Sequence, residues 1–329
     1  MGLAPAPLAL IYDDLFLAHD QPGHPESAER LRAITRRLRQ EPLLPEAWWS
    51  RAGPASEQDL LLVHTEEHLE RVRRLCDRGG GWLDSDTYCG PDSFAVALGA
   101  VGATLEGLRR LTEEGGTPRA LALVRPPGHH ATPDRAMGFC LFNNVAVAAR
   151  RAQQLGLERL AIVDLDVHHG NGTQEVFYED GRVLYCSLHQ WPLYPGTGAA
   201  AETGAGAGVG ANVNLPLPAG TGPGPWLDAL REQVVPALRR HMPELLLVSC
   251  GYDALAGDPL ASLELAPETY QEAATMLAAV AEQICQGRML WLLEGGYDLL
   301  TMPEAVRRCA LVLAGLGPTA MGGDDRGRD

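Results

Sequence analysis

Six short runs of nearly uninterrupted apolar residues, spaced by longer stretches of helical periodicity, constrain this chain more than any other feature. They are Leu8–Tyr12, Leu121–Val124, Leu160–Val163, Val183–Cys186, Leu245–Ser249 and Met289–Leu293. A strand that is apolar at consecutive positions is buried on both faces. The intervening helical patterns cover Ala28–Arg39, Glu66–Cys76, Ser93–Leu111, Asn144–Leu155, Trp226–His241, Pro267–Gln286 and Pro303–Leu316. Strand alternating with helix predicts an α/β fold, a largely parallel sheet covered by helices. A length of 329 residues is a prior for about two domains. No linker rich in proline, serine or charge divides the chain and no internal repeat is found, so we expect one domain over 1–316 and a polar, glycine-rich flexible tail over 317–329. Residues 195–224, dense in Gly, Ala and Pro, read as one long irregular loop.

The polar residues fall where those strands end. Val124 leads into Arg125-Pro126-Pro127-Gly128-His129-His130, and Val163 into Asp164-Leu165-Asp166-Val167-His168-His169-Gly170-Asn171. Cys186 leads into Ser187-Leu188-His189, Ser249 into Cys250-Gly251-Tyr252-Asp253, and Leu293 into Glu294-Gly295-Gly296-Tyr297. In open α/β sheets, ligands bind beyond the carboxyl ends of the strands. Asp166 and His168, two apart at a strand end, point the same way. Asp253 from another strand end completes a three-ligand N/O set, the pattern of a catalytic metal site with an open position. Zinc suits it best, with iron(II) and manganese(II) as alternatives of the same ligand type. His129 and His130 follow a rigid Pro-Pro-Gly, and Asp164 and Asn171 are available to fix one histidine tautomer each. A histidine partnered by Asp is held more basic than one partnered by Asn. The Tyr297 phenol is a donor able to polarise a carbonyl. Phe139, after Gly138, and Tyr194 offer two aromatic faces for an alkyl chain.

Composition narrows the chemistry further. Apolar residues make up 46% and charged ones 21%, which excludes a disordered chain or a coiled coil. All 27 basic residues are arginine, so Schiff-base, pyridoxal-phosphate and P-loop chemistry is excluded. A net charge of −15 gives no basic face, and we expect no direct nucleic-acid partner. The seven cysteines are dispersed without a CxxC pair, as expected in a reducing compartment. The start, Met1-Gly2-Leu3-Ala4-Pro5-Ala6, has neither a signal peptide's basic region nor a myristoylation signal, and no apolar run is long enough to span a bilayer. The expectation is a cytoplasmic protein without a membrane partner.

These motifs resemble the histone deacetylase family of the arginase–deacetylase superfamily. The resemblance runs from about Leu8 to Leu316 through His24-Pro25-Glu26-Ser27, Arg125–Ala131, Gly138–Asn144, Asp164–Thr173, Pro195–Gly198, Gly251–Pro259 and Leu293–Tyr297, in the family's order. Asn171 and the Glu-Gly-Gly-Tyr-Asp run are similar to class II and bacterial amidohydrolase members. The resemblance implies a three-layer α/β/α fold with about eight strands, and one zinc ion held by Asp166, His168 and Asp253. It implies His130 as general base and acid, His129 as its electrostatic partner and Tyr297 as the polarising phenol. It also implies a structural potassium ion near Asp164, Ser187 and Leu188, and a second monovalent cation near Phe177, Asp180 and Val183. Gly138, Phe139, Tyr194, Leu260 and Gly295 would line the substrate tunnel, with Tyr194 where phenylalanine is common. Leu260 stands where a polyamine deacetylase can carry an acid. The implied substrate is acetylated lysine in peptides or proteins, hydrolysed to acetate and free amine. The rivals are acetylated polyamines on the same machinery, binuclear-manganese ureohydrolysis, and non-catalytic acyl-lysine binding.

Overall fold

The computed structural model describes residues 7–317. The readings made on Met1–Ala6 and on the tail beyond Gly317 lie outside the described residues. The strands are β1 (Ala9–Ile11), β2 (Trp49–Ser50), β3 (Gly81–Trp82), β4 (Tyr88–Cys89), β5 (Arg119–Ala122), β6 (Leu160–Asp164), β7 (Val183–Gln190), β8 (Asn212–Leu217), β9 (Leu245–Cys250) and β10 (Met289–Leu293). Eight of them form one sheet in the order β2-β1-β5-β10-β9-β6-β7-β8, and β3 and β4 make a separate hairpin. Every neighbouring pair in the large sheet is parallel. All residues of β6, β7, β9 and β10 are buried, so helices cover both faces.

The register explains why the strand ends matter. Ser50, Ile11, Ala122, Leu292, Ser249, Asp164, Ser187 and Asn214 lie side by side in one row across the eight strands. Residues a few positions beyond that row emerge at one edge. The last strands in sequence, β9 and β10, insert between β5 and β6, and this brings the loops after all four together.

Two sequence expectations need correction, and one helix is additional to them. The stretch 195–224 is not loop throughout, because Asn212–Leu217 forms the edge strand β8. Pro216 cannot donate to a ladder, and an edge strand tolerates it. The pattern read as one helix over Trp226–His241 starts at Pro223 and passes through a π-turn at Leu230–Val234. Pro236 supplies the cause, since it lacks an N–H and its ring crowds the preceding turn. The helix Asn171–Phe177, inside the histidine motif, was not anticipated. All seven cysteines are buried and free. Among the described residues no helix is long and apolar enough to cross a membrane.

One buried ionic network ties the chain's beginning to both ends of the site. Glu26, Arg30 and Arg125 are all fully buried. Arg125 grips both Glu26 carboxylate oxygens, one at 2.7 Å, and donates to the carbonyls of Phe16 (3.0 Å) and His19 (2.6 Å). Arg30 donates to Glu26 at 3.0 Å, to the Gly296 carbonyl at 2.6 Å and to the Glu294 carbonyl at 2.5 Å. Burial alone would raise the Glu26 carboxyl, but the two guanidiniums outweigh it and hold the pKa at about 2. Glu26→Gln, which strands two buried cations, is expected to lower stability at pH 7 by about 3–5 kcal/mol. Because the folded pKa is depressed, the wild-type contribution is full above about 4.5 and disappears as pH falls through about 2. Urea unfolding of both proteins from pH 7 to pH 3 checks this; equal midpoints at pH 7 would contradict it.

Candidate active site

Asp166, His168 and Asp253 meet beyond the ends of β6 and β9. Their ligand atoms all lie within 4.8 Å of one another, and all three residues are buried. His168 Nδ1 is 3.1 Å from Asp166 Oδ1 and 3.2 Å from Asp253 Oδ2. Backbone amides fix the remaining oxygens: Gly295 N–H donates to Asp166 Oδ2 at 2.8 Å, and Val167 N–H to Asp253 Oδ1 at 2.9 Å. A side chain at Gly251 or Gly295 would land on these carboxylates. These two glycines therefore provide space for the acids rather than an unusual backbone angle.

The charge in this cluster is unbalanced. Burial and the neighbouring Asp166 push Asp253 up to about 7, while Asp166 is held down, against its burial, by His129 and His168. Burial would lower His168, yet its contacts with the two carboxylates raise it to about 10. The two buried acids draw a proton toward the imidazole between them. A divalent cation among the same three donors would supply that charge directly, so the donor set fits a metal.

The two adjacent histidines divide into opposite states. His129 Nδ1 lies 3.1 Å from Asp164 Oδ2, which also accepts from the Tyr185 hydroxyl at 3.0 Å. Against the desolvation of burial, the Asp164 and Asp166 charges raise His129 to about 10. His130 Nδ1 lies 2.9 Å from the neutral Asn171 Oδ1, and burial together with nearby His129 and His168 drives its pKa well below the ordinary value. The surroundings thus raise one ring's affinity for a proton and lower the other's.

A cavity of about 200 Å³ joins these groups. His129, His130, Gly138, Phe139, His168, Tyr194, Leu260, Gly295 and Tyr297 all border it, as do Asp86, Pro127 and Leu193. Tyr194 stands edge-on to His130 at 5.1 Å, and Phe139 edge-on to Tyr297 at 5.9 Å. Gly138 and Phe139 both have positive φ, 55° and 68°, and a Cβ at 138 would overlap the His130 ring. Tyr297 is half-buried, and desolvation of its phenol, with Asp253 and Asp166 nearby, raises the hydroxyl pKa well above its usual range.

Asp164 and Asn171 stand behind the histidines rather than in the cavity wall. Ser187 and Leu188 do not border the cavity; they are buried in β7, Ser187 beside Asp164 in register and 2.9 Å from His189 Nδ1. Asp180 is engaged by Arg150 at 2.6 Å and Arg182 at 2.8 Å, so near Phe177 and Val183 its carboxylate is already paired. Glu294 was seen at a strand end but given no role. It accepts from the amides of Gly128 (2.7 Å) and His129 (3.2 Å) and from Ser249 Oγ (2.9 Å), which clamps the histidine loop to β9 and β10.

Residues 24–313 match the model of the histone deacetylase domain. The chain belongs to the histone deacetylase family. It is 41% identical to the histone deacetylase-like amidohydrolase of Pseudomonas aeruginosa, over 85% of this chain and 74% of that protein. It is 41% identical to a probable deacetylase of Methanothermobacter thermautotrophicus, over 92% of this chain and 88% of the other. Among solved structures, the HDA15 HD domain superposes with a TM-score of 0.90 at 38% identity, covering 95% of this chain and 90% of that one. Histone deacetylase family proteins are generally metal-dependent, and the three-donor cluster is this member's candidate centre. In this family member, Gly251→Ala should displace the Asp166 carboxylate and weaken divalent-metal binding by roughly 10–100-fold. Competition titration with a chromogenic chelator measures it; unchanged affinity would show that Asp166 is not a ligand.

Proposed function

We propose that this histone deacetylase family member is a zinc-dependent deacetylase that hydrolyses the acetamide of N-acetyl-lysine side chains to acetate and free amine, with residues 1–316 as its catalytic domain. The observation that carries this reading is the meeting of a two-Asp, one-His cluster, His130 and the Tyr297 phenol at one aromatic-walled cavity. Asp166, His168 and Asp253 would hold the zinc, which when bound supplies Lewis-acid polarisation of the amide carbonyl and of a water molecule.

The chain's own groups do the rest. Asn171 Oδ1 faces His130 Nδ1, so Nδ1 carries the hydrogen and Nε2 presents a lone pair to take the proton of the attacking water. Tyr297 donates to the oxygen on which negative charge develops. The His129 cation, locked to Asp164, keeps His130 from holding a proton at rest, so the proton it gains is passed on to the leaving amine. Phe139 and Tyr194 flank the alkyl chain, the absent side chain of Gly138 lets it run against His130, and Leu260 and Gly295 complete the wall.

A structural potassium ion beside Asp164, Ser187 and Leu188 belongs to the same reading. Burial raises the Asp164 carboxyl, and a cation there would favour its charged form, on which the His129 pair depends. Seven unpaired thiols suit a reducing compartment such as the cytoplasm. One observation favours the acetylpolyamine alternative: Asp86 borders the cavity and attracts a cationic amine. Leu260, an apolar group on the same cavity, favours the lysine side chain.

Tyr297→Phe should lower kcat on an acetyl-lysine peptide by roughly 10²–10³ at unchanged metal content. His130→Ala should lower it by roughly 10²–10⁴. Acetate release at matched zinc occupancy measures both; a Tyr297→Phe enzyme within about threefold of wild type would remove the phenol from the mechanism.

A further inference from the structure

A surface groove of about 690 Å³ runs beside the cavity, between the helix Glu66–Asp77 and the hairpin β3–β4. Trp82, 53% exposed, and Leu83 form one side of it. The turn after Trp82 is a wall common to groove and cavity. Leu83 faces the groove, Asp86 borders the cavity, and Thr87 Oγ1 accepts the Phe139 amide at 3.1 Å. A chain of rings crosses that wall: Phe139 to His24 at 4.7 Å, then His24 to Trp82 at 6.1 Å. Trp82 therefore lies no more than about 11 Å from the tunnel aromatic, the span of about three residues of extended polypeptide. On the helix side, Arg71 is paired with Glu67 at 3.8 Å and Arg74 with Glu70 at 3.3 Å. Arg78, at the end of the same helix, has no ion-pair or side-chain hydrogen-bond partner among the described residues, in a chain of net charge −15.

We propose that this groove is the recognition subsite for polypeptide flanking the acyl-lysine. It takes a chain segment about three residues from the modified side chain, seated on Trp82, with an acidic side chain directed to Arg78. The inference rests on the acetyl-lysine reading above and deepens it, because a small acylamine ends before it reaches the groove. Tryptophan and arginine are the residues on which binding energy most often concentrates, and here they share one concave surface on the far side of the wall that bounds the reaction cavity.

The test compares kcat/KM on three substrates: acetyl-lysine with blocked termini, seven-residue acetyl-lysine peptides bearing Asp three positions before or after the lysine, and N-acetylputrescine. Wild type should prefer at least one Asp-containing peptide over the blocked residue by roughly tenfold or more. Trp82→Ala and Arg78→Ala should each remove most of that preference while changing turnover of the blocked residue less than about twofold. Equal losses on short and long substrates, or no loss on either, would overturn the subsite and leave the deacetylase reading intact. Turnover of N-acetylputrescine without turnover of any acetyl-lysine compound would overturn the lysine reading itself, and the subsite with it.

Discussion

Two carboxylates within a few ångströms of each other in a medium of low dielectric repel strongly, and Asp166 and Asp253 are such a pair. Much of the surrounding architecture answers that repulsion. Backbone amides of Val167 and Gly295 point at their outer oxygens, His168 stands between the inner ones, and Gly251 and Gly295 leave room for the acids to approach. The parallel sheet makes this possible. Its strand ends are level in register, so side chains remote in sequence converge without long supporting loops. Burial of the strands on both faces keeps water from relieving the charge, and the donor set suits a divalent cation.

The same field divides the histidine pair. Asp164 has Tyr185 and His129 as partners and, with Asp166, raises the affinity of His129 for a proton. The two histidine rings have centroids 4.0 Å apart, and burial, with His129 and His168 beside it, lowers the affinity of His130 for a proton. Two identical side chains adjacent in sequence thus differ in proton affinity, because carboxylates offset the burial of His129 while burial and neighbouring imidazoles depress His130. Tyr297 is placed by the other end of the molecule. Arg30 lies 5.0 Å from the centre of its ring, binds the carbonyls on either side of Gly295, and takes its own position from Glu26.

The site was legible in sequence to the extent that chemistry-bearing residues stand at strand ends beside glycine. Asp166, His168 and Asp253 could be grouped because apolar strands announce themselves and Asp-x-His spacing puts two groups on one side. The meaning of the glycines was less legible: at 251 and 295 they serve close approach, which only the three-dimensional contacts reveal. Glu294 was visible but without a role, because its partners Gly128 and Ser249 come from two other strands. Strand β8 was hidden by its setting among Gly, Ala and Pro, and the two-residue strands β2, β3 and β4 are too short to leave a pattern. The interruption in the helix after Pro223 was, by contrast, written in Pro236 and passed over in favour of the apolar periodicity.

The central claim is that one divalent cation completes the charge balance of the Asp166–His168–Asp253 cluster and makes it catalytic. The most direct measurement is zinc titration of chelator-stripped protein while acetate release from an acetyl-lysine peptide is followed. The account predicts no turnover in the stripped protein and a linear recovery that breaks at one equivalent of zinc per chain. Full turnover without metal, or a break at two equivalents, would contradict it.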